Sequence, residues 1–75
     1  MKILVLGAGR MGHGAVFDLV RNSPGVDGVT VADADLAKAK AISESFTEKP
    51  VAAVAFEAEN ETAAVELMRG HDAVI

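Results

Sequence analysis

Three glycines, at positions 7, 9 and 12, and a carboxylate at Asp33 are the residues of this 75-residue chain whose types and spacing could do chemistry. In Gly7-Ala8-Gly9-Arg10-Met11-Gly12 each glycine has a separate physical task. The first lets the chain reverse, the second lets backbone come up to a diphosphate, and the third lets a helix pack close to the strand before it. Gly7 to Met11 are expected to wrap a diphosphate with backbone N–H groups, with Arg10 adding a charge-assisted contact. Asp33 lies 21 residues beyond Gly12, followed by Ala34, where an acid accepts hydrogen bonds from the adenosine ribose hydroxyls. The chemistry implied is the binding of a dinucleotide.

Asp33 also bears on which dinucleotide. An ionised carboxylate about 4 Å from a 2′-phosphate opposes it by roughly 4 kcal/mol per unit charge at an effective dielectric near 20, before screening. NAD is therefore favoured over NADP, with Arg10 the one residue that could swing across to meet a 2′-phosphate. Plainer readings exist for each residue: a mere strand-to-helix turn, an Asp33 that only ends a strand, an Arg10 that is only solvated. The turn is read as a binding loop because strand, helix and acid all stand in place around it.

The elements that must position these residues follow from the pattern. Lys2 to Leu6 is apolar without alternation, as in a central parallel strand covered on both faces. A helix runs from Gly9 or Arg10 to Asn22 with an apolar stripe at Met11, Ala15, Val16, Leu19 and Val20, and Ser23-Pro24-Gly25 ends it. A second strand covers Val29 to Asp33. A second helix, opened by Asp35, covers Leu36 to Phe46 with Leu36, Ala39, Ile42, Ser43 and Phe46 inward.

Pro50 introduces a third strand, Val51 to Phe56. A third helix from Glu61 to Arg69 buries Ala64, Val65, Leu67 and Met68 in part and stops at Gly70. Ala73 to Ile75 begins a fourth strand. Strands alternating with helices over short links imply an α/β, three-layer, doubly wound parallel sheet. The expected piece is its Rossmann-like half, β-α-β-α-β-α-β, with strand order 3-2-1-4 and the ligand site where the order reverses.

Helix starts differ in a telling way. Asp35 opens the second helix and Glu59-Asn60-Glu61 the third, as ordinary capping requires. The first begins Arg10-Met11-Gly12-His13-Gly14 and meets no acid until Asp18, so its positive end is left open for an anion.

Composition narrows the rest. The chain is 51% hydrophobic and 24% charged, ordinary for a globular domain, and its net charge of −4 with three phenylalanines disfavours nucleic acid and anionic membrane. No apolar run approaches a membrane span, and the first strand starts at Lys2, which points to the cytoplasm. Without cysteine there is no disulfide framework, and His13 and His71 read as surface residues with no partner at metal-ligand spacing. Glu57 could touch an adenine edge but reads first as solvated. No nucleophile with an adjacent base can be assembled, so no residue is assigned a catalytic role.

The phrases Gly7-Ala8-Gly9-Arg10-Met11-Gly12, Val29-Thr30-Val31-Ala32-Asp33 and Gly70-His71-Asp72-Ala73-Val74-Ile75 resemble the N-terminal nucleotide-binding segment of the saccharopine dehydrogenase family over the whole chain. Lysine 6-dehydrogenase and carboxynorspermidine dehydrogenase are related members. The resemblance implies hydride transfer between NAD(P) and a carbon–nitrogen bond of an amino acid or amine, as in lysine metabolism, with catalytic residues and substrate in a later domain. Residues 1–75 would then be the first part of a dinucleotide domain, in a parent expected to be a homo-oligomer. The chain departs from the pattern at Val16, where such helices usually carry alanine, and at Glu57, where many carry aspartate. The nucleotide-sensing regulatory domain of potassium uptake systems looks similar through the glycine loop and Asp33. It usually ends its third strand with Gly-Asp, where this chain has Phe56-Glu57-Ala58. An unpaired apolar edge at the fourth strand is expected to invite self-association or unfolding.

Overall fold

The computed structural model describes residues 1–75 as β1 (Lys2–Leu6), α1 (Arg10–Asn22), β2 (Gly28–Asp33), α2 (Leu36–Ser43), β3 (Val51–Ala55), α3 (Glu61–Arg69) and β4 (Ala73–Val74). The four strands form one parallel sheet in the order β3-β2-β1-β4. This is the α/β half-fold expected from the alternation of elements, with the strand order reversing between β1 and β4.

Register explains the burial. Ile3 and Val5 of β1 stand beside Val29 and Val31 of β2, and those beside Val51 and Ala53 of β3. That one face of the sheet meets Val16 and Val20 of α1 and Ala39 and Ile42 of α2, with Val26 and Phe46 closing the ends of the core. β-Branched residues at these positions suit a pleated, covered surface. Leu4 and Ala32 point to the opposite face and are also buried, but α3 buries no residue of its own.

The helices differ from expectation in three places. Met11 is not part of the α1 stripe: it is 91% exposed, because the first turn of α1 projects past the carboxyl end of β1. α2 ends at Ser43 rather than Phe46, where the Ser43 and Ser45 hydroxyls donate to the carbonyls of Lys40 and Ala41 and compete with helical bonding. Phe46 is buried from the following turn instead, and Leu36 stays exposed. On α3, Ala63, Ala64 and Leu67 are half-buried, whereas Val65 and Met68 face water.

Phe46 seals the packed face at its rim. The edges of His13 and Phe17 rings meet it at 5.9 and 6.4 Å between centroids. The Arg21 guanidinium lies 4.7 Å from the Phe17 centroid, and its Nε donates to Glu48 at 2.9 Å. α1 is thereby clamped to the loop that leads into β3.

Candidate functional site

The loop between β1 and α1 is built from three glycines with different obligations. Gly7 has φ +101°, a left-handed conformation that other residues avoid. At Gly12 a Cβ would lie 2.0 Å from the Gly7 carbonyl oxygen, so only glycine lets α1 approach so closely. Gly9 is under neither constraint: its backbone is extended, and a Cβ there would meet nothing within 4 Å. The fold itself dictates two of the three glycines; the third leaves open backbone facing outward.

Backbone donors at this tip divide in the same way. Gly7 N–H donates to the Ala32 carbonyl at 2.8 Å, and Ala8 N–H donates to Asp33 Oδ2 at 2.7 Å. Those two amides are committed, contrary to the expectation that they face a diphosphate, because they tie the loop to the end of β2. The N–H groups of Gly9, Arg10, Met11 and Gly12 have no partner in the chain, and Gly9 caps α1 without any side-chain bond. By contrast, Asp35 accepts from Ala37 and Lys38 at the start of α2, and Asn60 accepts from Ala63 at the start of α3. α1 is the one helix whose positive end lacks a side-chain cap.

Asp33 sits at the carboxyl end of β2 with both oxygens engaged. Oδ1 accepts from Asp35 N–H at 2.8 Å while Oδ2 accepts from Ala8. These bonds, the Asp35 contribution first, hold its carboxyl below the usual aspartate range, and nearby Lys38 adds a smaller pull in the same direction. Each oxygen keeps a further lone pair, so an ionised Asp33 can still accept from hydroxyls. Ala34 is exposed beside it.

Two open recesses flank the loop. One, over the strand ends, is bordered by Leu6, Gly7, Asp33, Ala34 and Phe56. The other, between α1 and α2, is bordered by Gly9, Arg10, His13 and Lys38. Lys38 reads from the sequence only as part of a wet helix face. Its position three residues past the cap Asp35, in the first turn of α2, is the signal that puts it opposite Arg10. Glu57 is exposed beyond β3.

His71 is not a surface residue. Its Nδ1 donates to the Leu67 carbonyl at 2.8 Å, and its Nε2 pairs with the Thr30 hydroxyl at 2.7 Å. The carbonyl can only accept, so the hydrogen belongs on Nδ1 and the hydroxyl donates to Nε2. This pair lines a separate recess with Lys2 and Pro50 at the amino end of the sheet, away from the glycine loop.

A site with four free amides at a helix tip, open backbone at Gly9 and a carboxylate on the adjacent strand suits a diphosphate linked to a ribose, so the residues fit a dinucleotide. No solved structure matches the chain. Residues 3–75 match the family described as the saccharopine dehydrogenase NADP binding domain, and the chain belongs to that family of dinucleotide-binding oxidoreductase segments.

Proposed function

We propose that this chain holds the adenosine diphosphate half of NAD for an oxidoreductase that acts on a carbon–nitrogen bond of an amino acid or amine. The observation that carries the reading is the uncapped α1 tip with its outward-facing Gly9, in a chain whose other two helices are capped by side chains. In this reading Gly9, Arg10, Met11 and Gly12 donate N–H bonds to the diphosphate. Gly7 and Ala8 shape the loop, and the Arg10 side chain adds charge. Asp33, beside Ala34, accepts from both ribose hydroxyls.

Asp33 favours the unphosphorylated ribose, which makes NAD the preferred form. Arg10 and Lys38 across the neighbouring recess supply positive charge that keeps NADP within reach as the weaker ligand. The bound nicotinamide would supply hydride acceptance or donation. The chain's own part is to bind and orient the cofactor. The family description names NADP, and it supports a dinucleotide more firmly than either form.

Calorimetric titration with NAD, NADP and ADP-ribose tests this. NAD and ADP-ribose are expected to bind, with NADP weaker. Gly9→Val is expected to weaken NAD by about tenfold or more, a loss near 1.4 kcal/mol, in a chain that still folds, since a Cβ there meets nothing within 4 Å and the poorer N-cap lowers the melting temperature only modestly. Absence of heat from all three ligands, or unaltered NAD binding by Gly9→Val, overturns the proposal.

A further inference from the structure

We propose that two copies of this chain pair antiparallel through the outer edge of β3, joining their sheets into one. The sheet order leaves β3 bonded on one side only, to β2. Val29 N–H donates to the Pro50 carbonyl and Phe56 N–H to the Asp33 carbonyl, each at 3.0 Å. These bonds fix the phase of the ladder: residues 50, 52, 54 and 56 bond inward. The amides and carbonyls of Val51, Ala53 and Ala55 therefore point away from β2.

Edges in soluble proteins are ordinarily guarded by charge, proline or a bulge, and Val51-Ala52-Ala53-Val54-Ala55 carries none of these. Such an edge is a template for a second strand. The chain also specifies which second strand fits. With a two-fold axis midway between Ala53 and Ala53 of the partner subunit, Val51 stands opposite Ala55 of the partner subunit, and every outward residue of one strand meets an outward residue of the other. A slip of one residue sets outward groups against inward ones. A slip of two leaves an outward residue unpaired.

Charge selects the same register. The next positions of the outward phase, two residues beyond each end of the strand, are Lys49 and Glu57. In the centred pairing Lys49 lies opposite Glu57 of the partner subunit, and the axis repeats that pair at the other end. Lys49 Nζ donates to the Ser23 carbonyl at 2.7 Å, which leaves two of its three hydrogens for a carboxylate. The pairing is isologous and consumes the edge it uses, so it closes at two copies. β4, with two residues in the ladder, offers a shorter edge.

Sedimentation of the chain over a range of concentrations tests the proposal. Two copies per particle are expected at high concentration. Hydrogen exchange at the amides of Val51, Ala53 and Ala55 should slow as the chain is concentrated, while Ala52 and Val54 stay slow throughout. Ala53→Pro removes no bond to β2, since that N–H faces outward, and should give a folded monomer. Glu57→Lys should weaken the dimer by about tenfold, and adding Lys49→Glu should restore it, as expected for two cross-strand ion pairs.

A wild-type monomer at every concentration, particles larger than two copies, or a dimer indifferent to both Ala53→Pro and Glu57→Lys would overturn it. Should Ala53→Pro fail to fold, the exchange pattern and the charge swap decide the matter alone.

Discussion

The two faces of the sheet are held by different means. One carries α1 and α2 and a continuous core of eleven buried residues, sealed at its rim by Phe46, Phe17 and Arg21. The other carries α3 alone, which buries nothing of its own, while Leu6, Val65, Met68 and Val74 remain exposed. What attaches α3 is thinner: Ala63, Ala64 and Leu67 are only half-buried, and a polar bridge through the Leu67 carbonyl, His71 and Thr30 joins its last turn to β2. Dense packing secures the face behind the glycine loop, whereas lighter apolar cover and one hydrogen-bonded bridge secure the other. Positioning of the loop therefore depends on the first face far more than on the second.

Mutations across the two faces should expose that inequality. The largest effect is expected from Phe46→Ala, which removes a buried ring from the packed face and should cost about 3–5 kcal/mol in urea unfolding. Gly12→Ala comes next, at about 1–3 kcal/mol in thermal unfolding, because its Cβ would overlap the Gly7 carbonyl and push α1 off β1. On the other face Thr30→Val should cost about 1 kcal/mol by leaving His71 Nε2 without its donor, with faster amide exchange confined to α3 and β4.

Acid should act at the end of β2. Since Asp33 is held below the ordinary aspartate value of about 3.9, its stabilisation is fully present above that value and is lost as pH falls through the lowered one. Asp33→Asn should flatten that limb of an acid titration followed by amide shifts at Ala8 and Asp35. The smallest effect belongs to Val65→Ala, within about 0.5 kcal/mol. A loss there as large as that of Phe46→Ala would break the contrast between the faces.

Most of the fold was legible because its signals are local. Apolar runs at Ile3 to Leu6 and Val29 to Ala32, the cap at Asp35 and the stop at Gly70 each act within a few residues. Less legible were features that depend on what lies across space. Met11 fits the helical stripe yet overhangs the strand it was meant to cover, and Val65 and Met68 fit theirs on a helix with little to pack against. His71 looked solvated because its partner, Thr30, is 41 residues away. At the site, the glycine spacing and Asp33 were readable. That Gly7 and Ala8 spend their amides on β2 was not, because the same spacing is compatible with those groups facing a ligand.

On the proposed reading, Asp33 has a double employment that constrains any redesign of this segment. The carboxylate proposed to hold the sugar is also the peg on which Ala8, and with it the bend ahead of α1, is hung. Exchanging it for a neutral or basic side chain to welcome a phosphorylated sugar would slacken the neighbouring cradle too. On that proposal sugar preference and loop shape are one adjustable quantity, and a retuned variant would need a new tether for Ala8 before it could profit from its new charge.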